Sequence, residues 1–278
     1  MKSSILRVYH KSIETVFAPQ YVRDGWCEFD VSDYMLEGDY TIFIEPHTKV
    51  KLSCAYTSSA SCNVSIQVRV GAYAQLHMQV IFDGSVGLFC SVIEPEKHAQ
   101  CTYDFFVKDG NINKKVEVIS QYDRSDVAVA GAYVLSQDSS CSIITNQLHR
   151  SGHANSSTVA INGIITDTAK FSYQGNIQID VPSSAANAHQ YNKNITLSET
   201  VHVTARPGLY VLHNDVTCSH ASATGKLDEE AIMYAQSRGL SAACAQKIIV
   251  GGLLRETISD RRLQEHAYSV VEKLFSTD

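Results

Sequence analysis

A long run of short alternating segments between about Cys27 and Val216 constrains the fold of this chain most strongly. Segments such as DYTIFIE, NVSIQVRV and STVAINGII alternate apolar with polar residues and are rich in Val, Ile, Thr, Tyr and Phe. Such period-two alternation is typical of strands with one buried face. The connecting stretches, for example KDGNINKK, have the Gly and Asn content of turns. The pattern predicts more than a dozen strands with no helix between them.

An all-β region of this kind can form a sandwich, a barrel or a β-helix. The spans between turns vary in length, and no regular Asn-Gly or Asp-Gly hairpin rhythm runs through the region. Inward Val and Ile positions recur without a strict repeat. These features favour a β-helix, while the residues alone leave a sandwich or a barrel open.

The composition changes after Gly225, where three helical segments are predicted. The first begins near Asp228 and stops at Arg238 and Gly239, because acidic residues favour a helix start and Gly favours a helix end. Ser241 caps the second segment, and Ser259 or Asp260 opens the third. The apolar face of the second is predicted to contain Ala245, Ile248, Ile249 and Leu253, and that of the third Leu263, Ala267, Val270, Val271 and Leu274.

These boundaries predict three parts: an N-terminal segment over 1–26, a β body over 27–225 and a helical subdomain over 226–278. The apolar stripe of the helices is expected to find little of the β body to cover, and so to bind another protein. Leu253 and Leu254 are the candidate contacts on that stripe.

The bulk properties exclude several partners. The formal net charge of -6 provides no basic field for nucleic acid. No stretch approaches the roughly 18 apolar residues of a membrane helix, and the first residues have no signal-peptide core. The eight cysteines have no short paired spacing, which fits cytosolic thiols better than disulfides. We therefore expect a soluble, cytoplasmic protein that binds neither nucleic acid nor membrane.

Motifs of common enzyme classes are missing from the sequence. The segment ATGKL resembles the end of a phosphate-binding loop, but His220 and Leu227 occupy positions where that loop needs Gly and Ser or Thr. There is no GxSxG, HExxH or CxxC motif. The chain is therefore predicted not to be an enzyme, with no catalytic residue assigned.

Cys218 and His220 are the candidate binding residues, because they share the segment VTCSHA at the junction of the β body and the helices. Side chains two apart on a strand project to the same face, so a thiolate and an imidazole could contact one metal or cluster. Two ligands do not complete a tetrahedral site, and a packed cysteine beside a hydrogen-bonded histidine remains the alternative.

The segment ARPGLYVLHNDVTCSHASATGKLDEEA resembles the carboxy-terminal region of the SufB/SufD family of iron–sulfur cluster assembly proteins, and YQGNIQIDVPSSAANAHQYNKNITL resembles the rungs before it. The resemblance spans roughly residues 149 to 256. It is closer to the SufD branch, because SufB-type members carry a cysteine where this chain has Thr200, Val201 and His202.

This resemblance implies a right-handed parallel β-helix that pairs with a SufB-like subunit, and a helical tail that docks a SufC-like ABC ATPase. It also implies that His220, with Cys218 beside it, lies at the SufB interface where a transient iron–sulfur cluster forms. No cofactor is expected to bind tightly to the isolated chain, and the identity of any metal stays open. A homodimeric scaffold that works with the ATPase alone, and a β-helix enzyme acting on polysaccharide, are the alternative functions.

Overall fold

The alternating segments coil into a parallel β-helix followed by three helices, as the sequence predicted. The computed structural model describes residues 6–10, 13–17, 21–35, 37–57 and 61–276. Two nine-stranded sheets run the length of the β-helix. In spatial order the first contains β19 (His202–Val211), β16 (Lys170–Ile179), β13 (Ser140–His149), β11 (Asn111–Ser120), β9 (Val86–Pro95), β7 (Ser61–Val70), β5 (Gly38–Ile44), β1 (Leu6–His10) and β2 (Ile13–Phe17). The second contains β20 (Val216–Gly225), β18 (Ala186–Thr196), β15 (Ser156–Ile165), β12 (Asp126–Leu135), β10 (Gln100–Lys108), β8 (Gln75–Asp83), β6 (Lys49–Tyr56), β4 (Trp26–Asp30) and β3 (Tyr21–Arg23).

Each coil of the chain adds one strand to each sheet. From β4 and β5 onward, every strand pairs in parallel with the equivalent strand of the next coil. The pairings of β1 with β2, β1 with β5 and β3 with β4 are antiparallel. A two-residue pairing of β14 (Gly152–His153) with β17 (Ser183–Ser184) lies in a turn. The β-helix therefore begins with antiparallel strands and continues as regular parallel rungs.

The interior of the β-helix is filled by alternate residues of both sheets. Strand β13 shows the pattern clearly, since every second residue from Cys141 to His149 is buried. The middle rungs hold large side chains such as Phe82, Tyr103 and Phe105, each at most 1% exposed. Burial of this much apolar surface is the main source of stability for such a fold.

A second apolar cluster covers the outer face of the second sheet. Strands β10, β12 and β15 lose their alternation near their carboxyl ends, where consecutive residues are buried on both faces. Phe106, Ala132, Val134 and Ile164 are the outward members of this cluster. They pack against residues of the C-terminal helices, which cover this part of the sheet.

The helices are α1 (Glu229–Ser237), α2 (Ala242–Thr257) and α3 (Arg261–Leu274). The side chains of Asp228, Ser241 and Asp260 accept hydrogen bonds from the first backbone N–H groups of the three helices. The predicted starts are thus confirmed, with Asp260 capping the third helix rather than Ser259. Among the described residues, no helix is long and apolar enough to cross a membrane.

Two expectations about the helices are wrong. The apolar stripe does find a surface on the β-helix, because Val250, Leu254, Leu263 and Val271 are buried in the second cluster. In α2 the buried face contains Ala245, Val250, Leu254 and Thr257, whereas Ile248 is 56% exposed. The run IIVGGLL is apolar on several faces, so contact with the sheet, rather than the helical pattern, selects the buried one.

A buried polar cluster fixes the start of α3 to the second sheet. Oδ2 of Asp104 accepts hydrogen bonds from Ser259 N (3.0 Å), Ser259 Oγ (2.6 Å) and Asp260 N (2.7 Å). Lys51 Nζ donates to Asp260 Oδ2 at 2.8 Å. The Lys51 hydrogen bond and other donors lower the pKa of Asp260 against the opposing effect of burial. These contacts anchor the helical tail at a point where hydrophobic packing alone would leave its orientation open.

Candidate interface at the end of the β-helix

The C-terminal end of the β-helix exposes two edge strands. In the described part of the chain β19 pairs only with β16, and β20 pairs only with β18. One side of each strand therefore presents backbone N–H and C=O groups without a neighbouring strand. Such an edge is a template for pairing with another chain. Because β19 and β20 belong to the last coil, both edges lie at the same end of the molecule.

Cys218 and His220 lie on the inward face of this terminal rung. Strand β20 is in register with β18, so Cys218 lies beside Ala188 and His220 beside Gln190. Ala188 and Gln190 are fully buried in the interior, so the residues in register with them share the inward face. With no further rung above, His220 is exposed and Cys218 is half-buried. The structure thus brings the two predicted residues together on one face, at an open end.

Polar side chains line the interior just beneath this end. Asn194 Nδ2 donates to Thr224 Oγ1 at 2.8 Å, and Ser222 Oγ donates to Asn192 Oδ1 at 3.2 Å. Tyr133 OH, two rungs further in on β12, donates to Asn194 Oδ1. A chain of side-chain hydrogen bonds therefore connects the interior of the β-helix with its exposed end.

A second polar group lies across the interior on β13 and β15. Ser157 Oγ donates to Gln147 Oε1 at 2.6 Å and lies 2.7 Å from His149 Nε2. Burial lowers the pKa of His149 to about 4, which keeps its imidazole neutral. The sequence motifs do not single out these interior residues. Polar residues at the alternate, inward-facing positions of a strand are the signal that could have identified such an interior. The segment NAHQYNKN of β18 shows it, with Gln190, Asn192 and Asn194 at those positions.

This chain alone does not complete a metal site at the end of the β-helix. Within the ranges that the structure describes, no three His, Cys, Asp or Glu side chains are placed to hold a metal ion. Cys218 and His220 could supply two ligands of the kinds that iron accepts. Further ligands would have to come from another molecule docked against the edge strands.

The outer surface around the terminal rung carries few strong interactions. His189 Nδ1 lies 2.6 Å from Ser219 Oγ on the outer face of β18 and β20. Beyond β20, Lys226 Nζ donates to Glu199 Oε1 at 2.9 Å, and this hydrogen bond lowers the pKa of the Glu199 carboxyl. The pair is exposed and contributes little to stability.

The helical tail offers a second surface, away from the β-helix end. Leu254 is 1% exposed and belongs to the cluster between helix and sheet, with Leu253 packed at its margin. The large apolar side chains that the tail does expose are Met233, Tyr234, Leu240, Ile248 and Tyr268. Leu254 therefore packs the tail against the sheet. The apolar surface that another protein could contact consists of the exposed residues just named.

Comparison with known proteins places the chain among cluster assembly proteins. The family model described as SUF system FeS cluster assembly, SufBD core domain, matches residues 32–253. The iron–sulfur cluster assembly protein SufD of Bacillus subtilis (strain 168) is 28% identical over 132 residues, which are 46% of this chain and 30% of the relative. SufD of Escherichia coli (strain K12) is 28% identical over 120 residues, or 42% of this chain and 28% of the relative.

A SufBD family protein of Synechocystis sp. is 25% identical over 114 residues, which are 41% of this chain and 22% of the relative. The matched region thus spans under a third of the length of each of these three proteins. The family match begins at residue 32, well before the segment near residue 149 where the sequence resemblance was expected to start. The family match therefore covers most of the β-helix and continues into the tail through α1 and most of α2.

Proposed function

Because the chain belongs to the SufBD core family of the SUF system for iron–sulfur cluster assembly, we propose that it is a non-enzymatic scaffold subunit of the SufD type. In this role it pairs end-to-end with a SufB-like β-helix and docks a SufC-like ABC ATPase through its helical tail. The cytoplasm is the proposed compartment, since all eight cysteines are free thiols.

The terminal rung is the observation that carries the proposal. Both sheets end there in unpaired edges, and the inward residues Leu209 and His220 are exposed. Leu209, on β19, is 43% exposed although its register partner Ile177 is buried. Large apolar side chains on an open sheet edge favour association. A second β-helix would continue both sheets and cover these side chains.

His220 and Cys218 are the proposed contacts for the nascent cluster, which is the cargo of the complex rather than a resident cofactor. A neutral imidazole and a thiolate are suitable ligands for iron. Because no third His, Cys, Asp or Glu among the described residues is placed to join them, the partner is proposed to supply the remaining ligands. His220 is the more exposed of the two and is assigned the larger role.

The exposed apolar residues of the tail are the proposed surface for the ATPase. Met233 and Tyr234 on α1 are 61% and 62% exposed, and α1 contains no buried residue. A helix that its own chain leaves uncovered is a suitable docking element for a partner. Leu253 and Leu254, proposed from the sequence as direct contacts, would act mainly by holding α2 in place.

Two charged variants, one with a single and one with a double substitution, test the two surfaces separately. The chain is co-expressed with the SufB-like and SufC-like proteins of its source, and complexes are analysed by affinity capture and size exclusion. Leu209→Glu is expected to lose the β-helix partner and keep the ATPase, because it places a charge on the pairing end. Met233→Glu with Tyr234→Glu is expected to lose the ATPase and keep the β-helix partner.

The wild-type result decides between the scaffold functions. Co-elution with both partners supports the proposal, and co-elution of a dimer of this chain with the ATPase alone would replace it by the homodimeric scaffold. If neither variant loses a partner that wild type retains, both surface assignments are wrong. Circular dichroism of the purified variants checks that the fold is intact.

A further inference from the structure

Strands β18 and β20 are bridged by side-chain hydrogen bonds at three of their polar register pairs. The bridged pairs are His189 with Ser219, Asn192 with Ser222, and Asn194 with Thr224. In the same register, Gln190 is paired with His220. This pair contains the proposed cluster contact, and among the inward-facing polar pairs of the two described strands it is the one without such a bond.

The amide of Gln190 is buried without a partner. The residue is 0% exposed, and neither Nε2 nor Oε1 has a hydrogen-bond partner among the residues that the structure describes. Leaving a buried polar group unpaired costs about 1–3 kcal/mol. An apolar side chain at this position would avoid this cost. The amide can therefore still form a hydrogen bond with a further polar group.

The interior is shaped to hold this amide. It lies over Gly175 on β16, where an added Cβ would come within 2.2 Å of Gln190 Nε2. Any side chain at position 175 would therefore displace the amide. His220 lies one strand further out, at the usual spacing of about 4.8 Å between paired strands. A hydrogen bond between the two side chains requires rotation of the exposed His220 ring toward the amide beneath it.

We infer that Gln190 is a positioning residue for His220, whose ring N–H donates to the buried Gln190 Oε1. This bond fixes one tautomer, so that the other ring nitrogen carries a lone pair directed toward the open end. A histidine that binds a metal commonly donates its second ring N–H to an acceptor of this kind. The inference deepens the proposed function, since it names the group that orients the proposed cluster contact.

The test is the tautomer of His220 in the full-length chain, read from its ring nitrogen chemical shifts. Histidine is labelled with ¹⁵N, and the His220 signals are assigned by their loss in His220→Ala. At about pH 8.5, above the ordinary titration range of histidine, wild type should show one tautomer in roughly tenfold excess. Gln190→Leu should relax toward the mixture of free histidine. Gln190→Glu, which keeps an acceptor oxygen, should retain one tautomer.

A matched control separates positioning from general packing. Gln147 is also a fully buried interior glutamine, but it lies on β13 and is not in register with His220. Gln147→Leu breaks the bond from Ser157 and the bond that Gln147 Nε2 donates to the His189 backbone carbonyl, so it should lower the melting temperature while leaving the His220 tautomer unchanged. Gln190→Leu should lower the melting temperature less than Gln147→Leu does, because the inferred bond that it removes ends on the exposed His220 side chain.

The inference is overturned if Gln190→Leu leaves the His220 tautomer as in wild type, or if Gln147→Leu changes it equally. A different result would contradict the proposed function: complexes that carry His220→Ala would form the cluster normally. If positioning is correct, Gln190→Leu should also lower cluster yield in the assembled complex by about tenfold, as loss of an outer partner of a metal-binding histidine typically does.

Discussion

The middle rungs and the C-terminal rungs of this β-helix have the same backbone but different interiors. In the middle, Phe82, Tyr103 and Phe105 fill the space between the sheets and are at most 1% exposed. Toward the C-terminal end, Gln190, Asn192 and Asn194 occupy the inward-facing positions of β18. The middle gains stability from apolar burial, whereas the end must satisfy polar groups one by one.

The polar interior makes the C-terminal rungs less stable than the middle rungs. Polar interior residues specify geometry only when they are hydrogen-bonded, and an unpaired one is costly. Placing such residues in the last coils, next to an open end, fits a surface that is completed by a partner. The middle rungs then serve as a rigid support for that end.

The largest effect is expected in the middle of the β-helix. Phe105→Ala should lower the free energy of unfolding by about 3–5 kcal/mol, because it opens a cavity in a close-packed interior. Leu209→Ala, also inward-facing but 43% exposed, should cost under about 1 kcal/mol. Urea unfolding followed by circular dichroism measures both. Equal losses would show that the terminal rung is packed as tightly as the middle.

The next effect concerns Lys114, the charged exception in the apolar interior. Its ammonium donates to Ser91 Oγ at 2.7 Å and lies near the rings of Phe82, Tyr103 and Phe105. Burial lowers the pKa of Lys114 to about 7 from the ordinary value of 10.5. The unfolded chain therefore binds more protons between these values, so this group makes the protein less stable at pH 7 and below, and the penalty fades as pH rises toward about 10.5.

Lys114→Met should remove that penalty. The variant is expected to be more stable than wild type by on the order of 5 kcal/mol at about pH 6, with the difference shrinking as pH rises through the window. Lys115→Met provides the control, because Lys115 lies on the outer face and pairs with Glu117. Urea unfolding at several pH values measures the difference. A constant difference between Lys114→Met and wild type would contradict a depressed pKa.

A smaller effect is expected at the anchor of the helical tail. Asp104→Asn should cost about 2 kcal/mol, since it weakens three hydrogen bonds from Ser259 and Asp260 and buries an amide group without a partner. Hydrogen exchange should report the loss mainly as faster exchange in α3. Asp83→Asn, which removes the charge paired with Lys108 at a half-buried surface site, should cost about 0.5 kcal/mol or less. Unchanged hydrogen exchange in α3 would show that Asp104 does not anchor this helix.

The fold could be predicted from the sequence because the alternation of strands and the caps at Ser241 and Asp260 are local signals. The docking of the tail could not be predicted from helix patterns alone. Its signal lay instead in the strands, where DFFV and AYVL are apolar on both faces and imply a covering layer. The buried face of α2 depended on that tertiary contact, so Ile248 was misplaced.

The candidate site was predictable only in part. The spacing of Cys218 and His220 placed them on one face of a strand, and the structure puts that face at an open end. The amide beneath His220 depends on a register between residues 30 positions apart, Gln190 and His220, and on the absence of a side chain at Gly175. Long-range register is not visible in a local pattern, which is why the polar interior was missed.

Cluster formation on the assembled complex tests the central claim most directly. The complex of this chain with its SufB-like and SufC-like partners is reconstituted anaerobically with iron and sulfide, and cluster absorbance is compared at equal complex concentration. His220→Ala should lower the cluster yield by about tenfold or more, at least as much as loss of its outer partner would, and Cys218→Ser should lower it less. His202→Ala, on the outer face of the same rung, is the control and should match wild type. Equal cluster yield from His220→Ala and wild type in intact complexes would contradict the role of the terminal rung.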